Sequence, residues 1–223
     1  MKLIIFDVDG TLVDSQAHIV AAMEFAFARA DIDLPDRDVL LSIVGLSLPE
    51  AMSKLCPQAG PAEIDALVDG YRASYAELRI KMKDAAPFYP YANDVLNALS
   101  SREEVLLGMA TGKSRRGVRH IIDAHHLDGI FATTQTADSH PSKPHPSMLM
   151  HAMAEAGVDA ADTIMIGDTT YDMEMAGNAG IAGIGVSWGY HSTSALERVI
   201  ATQTVLNDFR ELLPYLAKTG FLK

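Results

Sequence analysis

Cysteine is almost absent from this sequence, which contains Cys56 alone among 223 residues. A single thiol cannot form a disulfide within the chain, and its isolation fits a reducing compartment. Nothing near Cys56 in the sequence would lower the pKa of its thiol, so we interpret the residue as structural and not as a nucleophile. The cysteine content therefore excludes a small domain held together by disulfides.

Basic residues are few and long apolar runs are absent, and each of these features argues against a class of function. Basic residues are in the minority, with 18 lysines and arginines against 29 acidic residues and a net charge of −11, so no nucleic-acid partner is expected. No apolar run approaches the length of a membrane span, and the first apolar run ends after only four residues, which does not fit a secretory signal. We expect a cytoplasmic protein without a membrane partner, either a monomer or a homodimer.

The most informative stretch is residues 3–15, which read Leu-Ile-Ile-Phe-Asp-Val-Asp-Gly-Thr-Leu-Val-Asp-Ser. The leading apolar residues predict a strand that is buried on both faces, as in a parallel sheet. Asp7 and Asp9 follow at its carboxyl end, where ligands bind in open α/β sheets. Two carboxylates at that place are costly unless a cation or a donor-rich loop meets them. Ser15 is predicted to cap a following helix.

Residues 15–84 contain helix patterns and no pattern typical of a strand. Ser47 and Glu50 have the spacing of a capping box, and a long amphipathic pattern begins at Pro61. Beyond this block, buried strands alternate with helices, which indicates a parallel, doubly wound α/β sheet. We therefore predict a catalytic core of residues 1–14 and 85–223, and a separate helical domain of residues 15–84 inserted into it.

Four polar clusters follow predicted strands or lie in loops on the same side of the sheet. Because the carboxyl ends of such strands converge, we expect these clusters to meet. Crowded carboxylates repel unless a cation is present, and Mg²⁺ is a hard cation that takes oxygen ligands. A lysine in a loop bounded by prolines indicates an anion at the same place. The clusters are Asp7 with Asp9; Thr111, Gly112 and Lys113; Lys143; and Asp168 with Asp172.

The run from Asp7 to Ser15 resembles the first motif of the haloacid dehalogenase superfamily, most of whose members are phosphatases. The later clusters resemble the second, third and fourth motifs of that superfamily and come in the same order. The resemblance covers nearly the whole chain and is strongest to the phosphoglycolate phosphatase-like branch. It implies a Rossmann-like core, an α-helical cap that closes over the site and selects the substrate, and a phosphatase that acts on a small phosphorylated metabolite such as 2-phosphoglycolate.

The resemblance also implies roles for the catalytic residues. Asp7 would be the nucleophile that forms an aspartyl-phosphate, and Asp9 would act as general acid and then as general base. Lys143 would neutralise Asp7 and the phosphoryl charge, and Thr111 would bind a phosphoryl oxygen. The implied Mg²⁺ ligands are Asp7, Asp9 (through its backbone carbonyl), Asp168 and Asp172, and the implied substrate-binding residues are Thr111, Gly112, Lys143 and Gly10.

Other members of the superfamily fit the sequence less well. Dehalogenases need no acid to release a halide, so Asp9 favours a phosphate ester. Sugar-phosphate mutases of this type carry a histidine and an arginine where this sequence has Ile19 and Leu48. These two departures argue against a mutase.

Several alternatives stay open. The chain could be a pyrophosphatase, or a phosphonatase with Lys54 as its Schiff-base lysine. It could also be a module that is only phosphorylated on Asp7, or a binding protein descended from an enzyme. His140 and His145 flank the lysine motif, and we interpret them as loop residues because no step of the implied mechanism needs a histidine.

Overall fold

The strands of this protein form one parallel sheet with a switch in strand order at its centre. In the computed structural model, residues 1–81 and 86–222 are described, except for the side chains of residues 76–81. The sheet has the order β3-β2-β1-β4-β5-β6, and every pairing is parallel. The predicted doubly wound α/β fold is confirmed. The strands are β1 (Lys2–Phe6), β2 (Val105–Thr111), β3 (Phe131–Thr136), β4 (Thr163–Gly167), β5 (Ala182–Val186) and β6 (Thr202–Leu206).

Helices connect these strands and also form a block between β1 and β2. Within residues 1–81 and 86–222, no helix is both long and apolar enough to cross a membrane. The helices are α1 (Gln16–Ala30), α2 (Arg37–Ser42), α3 (Leu48–Leu55), α4 (Pro61–Lys81), α5 (Ala92–Ser100), α6 (Arg115–His125), α7 (Ser147–Ala156), α8 (Thr170–Asn178), α9 (Thr193–Leu196) and α10 (Leu212–Lys218).

The central strand β1 is buried on both faces, as its apolar sequence predicts. Ile4 and Phe6 pack into the hydrophobic cluster on one side of the sheet, whereas Leu3 and Ile5 pack into the cluster on the other side. This division follows from the alternation of side chains along a strand. Burial of each such side chain contributes about 1.5–3 kcal/mol, so β1 is firmly held and can position the acids that follow it.

The helices α1 to α4, which we call the helical unit, have a hydrophobic cluster of their own. Met23, Phe27, Met52 and Leu67 are buried within it. The helices α1 and α4 approach closely at Gly70, where a Cβ atom would lie 3.2 Å from the Cα atom of Ala26. A separate cluster is what an inserted domain needs in order to bury its own apolar faces.

The chain enters and leaves the helical unit side by side. The backbone N–H of Asp14 donates to the carbonyl of Pro87 at 2.8 Å, and that of Tyr89 donates to Leu12 at 2.9 Å. The predicted domain boundary at residues 84 and 85 itself lies outside the described residues.

Ser15 and Ser47 lie at the N-cap positions of α1 and α3, as predicted, but neither side chain forms a capping hydrogen bond to its helix. The Ser15 hydroxyl lies 3.2 Å from that of Tyr190, and the backbone N–H of Ser47, which a capping box would pair with Glu50, donates to Ser142 Oγ at 2.9 Å. Tertiary partners therefore replace the local ones, and both partners lie in the core.

Candidate active site

Three carboxylates meet where the central strands end. Asp7 directly follows β1, Asp168 directly follows β4, and Asp172 lies in the first turn of α8. Each offers an oxygen within 4.8 Å of the others, and all three side chains are fully buried. The strand order reverses at β1, which lies between β2 and β4. The ends of β1 and β4 therefore lie side by side, at the place where ligands bind in an open α/β sheet.

Asp168 is fixed by hydrogen bonds to both of its oxygens. Oδ1 accepts from the Thr11 hydroxyl at 2.7 Å, and Oδ2 accepts from the backbone N–H of Tyr190 at 2.8 Å. Gly10 has a positive φ of 81°, and a Cβ atom there would lie 2.3 Å from Asp168 Oδ2. Gly10, which the sequence predicts as a substrate-binding residue, thus makes room for Asp168 in this structure.

Asp172 is held by both a helix cap and a lysine. Its Oδ2 accepts from the backbone N–H and the hydroxyl of Thr169, at 3.1 and 2.7 Å. Thr169 Oγ1 in turn accepts from the Asp172 backbone N–H, which completes a capping box at the start of α8. The other oxygen, Oδ1, accepts from Lys143 Nζ at 2.6 Å.

Lys143 is a fully buried cation between two of the acids. Its Nζ lies 2.6 Å from Asp172 Oδ1 and 3.0 Å from Asp7 Oδ2. Burial alone lowers the pKa of Lys143, but the carboxylates of Asp172 and Asp7 outweigh it and hold the pKa above its usual value. The ammonium group therefore stays charged and reduces the repulsion between the two acids.

One lysine does not compensate for the crowded carboxylates. Burial, together with the charges of Asp172 and Asp9, raises the pKa of Asp7 to about 7 against the pull of Lys143. The pKa of Asp168 is also well above its usual value, through burial and then through Asp172 and Asp7. Apart from its ion pair with Lys143, Asp7 Oδ2 has no hydrogen-bond partner among the described residues. This set of buried, under-compensated oxygens fits a hard divalent cation such as Mg²⁺.

Asp9 lies apart from this cluster and pairs with a second lysine. Its Oδ1 is 2.9 Å from Nζ of Lys113, whose side chain is only 8% exposed. Burial lowers the pKa of Lys113, but Asp9 and then the tyrosines Tyr75 and Tyr71 hold it above its usual value. The sequence places Lys113 in the second motif but suggests no function for it, because its partners are remote along the chain.

Thr111 and Gly112 lie at the end of β2, next to the same cavity. Thr111 is buried, and its hydroxyl accepts from the backbone N–H of Lys113 at 3.2 Å. A Cβ atom at Gly112 would lie 2.5 Å from the carbonyl oxygen of Gly45 and 2.6 Å from that of Leu46. Gly112 is therefore a place where the core and the helical unit touch through their backbones.

A cavity of about 800 Å³ separates the core from the helical unit. The helical unit contributes mostly apolar and hydroxyl-bearing side chains together with Arg72, and the core contributes most of the charged ones. Residues on its wall include Asp7, Asp9, Thr111, Gly112 and Lys113 from the core, and Met23, Ile43, Leu48, Tyr71 and Tyr75 from the helical unit.

The two histidines near Lys143 hold their loop in place. His140 lies 2.8 Å from Ser147 Oγ through Nδ1 and 2.8 Å from Gln135 Oε1 through Nε2. His145 Nδ1 accepts from the backbone N–H of Ser147 at 3.2 Å. Burial lowers the pKa of His140, and the neighbouring His151 and His145 lower it further. These contacts fit the interpretation of both histidines as loop residues.

The fold and this constellation of acids define a hydrolase class. Residues 4–186 match the family model described as haloacid dehalogenase-like hydrolase. Since this match spans most of the chain, the protein belongs to the haloacid dehalogenase-like hydrolase family.

Named relatives refine this placement. The chain is 37% identical over 216 residues to "Probable phosphatase IndB" of Dickeya dadantii (strain 3937), covering 95% of this chain and 91% of that protein. It is 29% identical over 219 residues to a phosphoglycolate phosphatase of Agrobacterium fabrum, covering 96% and 91%. Among solved structures, a hydrolase from Pseudomonas syringae superposes with a TM-score of 0.85 at 25% identity, covering 98% and 99%.

Proposed function

We propose that this hydrolase is a Mg²⁺-dependent phosphatase that acts on a small phosphate monoester, with 2-phosphoglycolate as the first candidate. The observation that carries the proposal is the buried cluster of Asp7, Asp168 and Asp172 around Lys143. Relatives named as phosphatases and phosphoglycolate phosphatases support the reaction class and the candidate substrate.

In this proposal the side chains of Asp7, Asp168 and Asp172 and the backbone carbonyl of Asp9 would hold the metal ion. When bound, Mg²⁺ neutralises and orients phosphoryl oxygens. Asp168 is pre-positioned by Thr11 and Tyr190, and Asp172 by Thr169 and Lys143. Fixed ligands of this kind cost little reorganisation when the ion binds.

The covalent steps are assigned to the acids after β1. A carboxylate oxygen of Asp7 forms a bond to phosphorus while the bond from phosphorus to the leaving oxygen breaks. Asp9 first gives a proton to that oxygen. In the second step Asp9 removes a proton from a water molecule whose oxygen attacks phosphorus, and the bond between phosphorus and Asp7 breaks. This step releases phosphate and restores the Asp7 carboxylate. Lys143 balances the charge of Asp7, and Thr111 and the Gly112 N–H receive phosphoryl oxygens. Such positioning and charge stabilisation account for most of phosphoryl-transfer catalysis.

The helical unit, which belongs to the predicted inserted domain of residues 15–84, is assigned the role of a cap. It covers the cavity, and a covered cavity of about 800 Å³ favours a small metabolite over a folded protein. A cytoplasmic location and a monomeric or homodimeric state stay predictions from the sequence.

The alternatives gain less support from the geometry. Lys54, the candidate lysine of a phosphonatase, lies over the ring of Tyr171 at 4.7 Å and is not among the described residues that line the cavity. A pyrophosphatase would use the same acids, so substrate tests must separate it. A module that is only phosphorylated, or a binding protein, would show no turnover.

The test is phosphate release from a panel of small phosphate esters and pyrophosphate, with and without Mg²⁺. The D7N variant is run beside the wild type, and K2M serves as a control because Lys2 pairs with Asp162, away from the cavity. We expect release that requires both Mg²⁺ and Asp7 and that K2M retains. Release that persists in D7N would contradict the assignment of the nucleophile.

A further inference from the structure

We infer that Lys113 selects substrates that carry a second anionic group close to the phosphate ester, such as the carboxylate of a 2-phosphoryloxy acid. This inference rests on the proposed function, because it uses Asp9 as the acid that meets the leaving oxygen. It adds a specificity-determining residue to that site.

Lys113 is a nearly buried cation on the cavity wall. Its Nζ lies 2.9 Å from Asp9 Oδ1, and the hydroxyl oxygen of Tyr75 in the helical unit lies 3.4 Å away. The same Nζ lies 5.2 Å from the centroid of the Tyr75 ring. An ammonium group has three N–H donors, so these two oxygens leave capacity for a further acceptor. Lys113 can therefore donate to an acceptor group of a bound substrate while it keeps its ion pair with Asp9.

Lys113 lies close to the place where the leaving group of the ester would bind, because it is paired with Asp9. A general acid must lie within hydrogen-bond distance of the oxygen that it protonates. Because Lys113 Nζ is within hydrogen-bond distance of Asp9, an acceptor separated from the leaving oxygen by two carbon atoms can reach it. In 2-phosphoglycolate the carboxylate is bonded to the carbon that carries this oxygen, so it meets the condition.

The remaining charges on the wall also favour an anion. Arg72 of α4 and Arg116 of α6 line the same cavity. Asp138, another acid on the wall, accepts a hydrogen bond from the backbone N–H of Arg115 at 2.6 Å. A hydrogen bond between Lys113 and a carboxylate would be charge-assisted and only weakly screened at this depth. A neutral substituent would gain much less from the same lysine.

A matched pair of esters tests this inference. 2-Phosphoglycolate carries the carboxylate, and 2-hydroxyethyl phosphate replaces it with a neutral hydroxymethyl group of similar size. The measured quantity is the ratio of kcat/KM for the two esters, in the wild type, K113M, K113R and the control K2M. Any effect of Lys113 on Asp9 alters both esters alike and cancels in this ratio.

We expect the wild type to prefer 2-phosphoglycolate and K113M to lower the ratio by about 10- to 100-fold, the range of one hydrogen bond to a charged group. The loss should come mainly from a higher KM for the acid. K113R should keep part of the preference, and K2M all of it. If K113M fails to fold, K113Q removes the charge while it keeps a polar side chain.

Three outcomes would overturn the inference. A wild type that does not distinguish the esters, or a K113M variant that loses both activities in equal proportion, leaves phosphatase function intact but removes Lys113 as the selecting residue. p-Nitrophenyl phosphate, a third ester without a carboxylate, shows whether the enzyme is active at all. Its turnover without turnover of 2-phosphoglycolate would also leave the phosphatase function intact and remove Lys113 as the selecting residue. Release from none of the three esters with Mg²⁺ would instead overturn the proposed function itself.

Discussion

The core and the helical unit enclose one cavity but supply different groups to it. The core supplies charged side chains, among them Asp7, Asp9 and Lys113, and Asp7 is fully buried and paired in turn with the buried Lys143. The helical unit supplies mainly apolar side chains and tyrosine hydroxyls. Charges that are buried and bonded on several sides are fixed by the fold, which suits chemistry. A wall of apolar and hydroxyl groups suits selection by the size and shape of the substrate, whereas the selection by charge inferred above belongs to Lys113 of the core.

Lys143 provides the strongest test of this division, because its removal leaves Asp7 and Asp172 buried without their cation. We expect K143M to lower the free energy of unfolding by about 3–5 kcal/mol, the usual cost of breaking a buried ion pair from one side. Turnover should fall below detection. Urea unfolding and phosphate release measure the two effects.

The control for this variant is K2M, which breaks the partly exposed pair of Lys2 and Asp162 at the amino end of β1. Exposed pairs contribute little to stability, so K2M should behave like the wild type in both assays. An unchanged unfolding free energy in K143M would mean that the buried charges of the core are compensated in some other way.

The raised pKa of Asp7 makes the stability of the metal-free core depend on pH. Its pKa is 3.8 in the unfolded chain and about 7 in the folded protein. Between these values the folded state holds the extra proton, so stability is lost as the pH rises from about 4 to about 7. D7N carries no such charge. In a chelator at pH 8 it should be more stable than the wild type, by an amount on the order of a few kcal/mol.

The measurement is thermal or urea unfolding of D7N and wild type at pH 5 and pH 8, with chelator and with Mg²⁺. The difference should shrink towards pH 5, and Mg²⁺ should stabilise the wild type more at pH 8 than at pH 5. The exposed Asp14 gives a control, D14N, without this pattern. Finding D7N less stable than the wild type at pH 8 in chelator would refute the raised pKa.

Much of the core could be predicted from the sequence because its determinants are local. An apolar run followed by acids is visible in residues 3–9, and parallel-sheet topology then brings the ends of β1 and β4 together. Asp7 and Asp168 are therefore both found from pattern and topology alone, as strand-end acids.

Contacts between the core and the helical unit could not be predicted in the same way. Lys113 and Tyr75 are 38 residues apart, and the hydroxyls of Ser15 and Tyr190, which lie 3.2 Å apart, are separated by 175 residues. Ser47 precedes a helix as predicted, but the capping box with Glu50 does not form, because Ser142 accepts from the N–H that the box would use. Side-chain propensities describe neighbours along the chain, whereas these partners are set by how the two regions pack.

Gly112 tests the backbone contact between the two regions. An alanine Cβ there would meet the carbonyl oxygens of Gly45 and Leu46 at 2.5 and 2.6 Å, so the helical unit must shift. We expect G112A to cost about 1–3 kcal/mol of stability, as overpacking usually does. Because the cavity wall moves, kcat/KM should fall more than stability alone explains.

Steady-state kinetics and urea unfolding of G112A give both numbers. The control is G60A, since a Cβ atom at Gly60 would meet Glu63 Oε2 only at an ordinary 3.7 Å. If G112A has wild-type kinetics, the position of the helical unit at Gly112 does not affect the reaction.

The smallest expected effect concerns a polar contact between α2 and the core. The carbonyl oxygen of Ser42 accepts from the Tyr171 hydroxyl at 3.1 Å and lies 3.0 Å from His191 Nε2. His191 Nδ1 accepts from the backbone N–H of Thr170, so Nε2 carries the proton and donates to Ser42. Two core donors thus share one acceptor of the helical unit.

Because either donor can satisfy the Ser42 carbonyl, Y171F should lower stability by no more than about 0.5–1.5 kcal/mol. H191A should cost more, since it also leaves the Thr170 N–H without its acceptor. The double variant should lose more than the sum of the two single losses, because only then is the carbonyl left without a donor. A double-mutant cycle by urea unfolding measures this coupling, with Y91F as a control at an exposed tyrosine. Strict additivity would mean that the two donors act independently and that this contact does not hold the helical unit against the core.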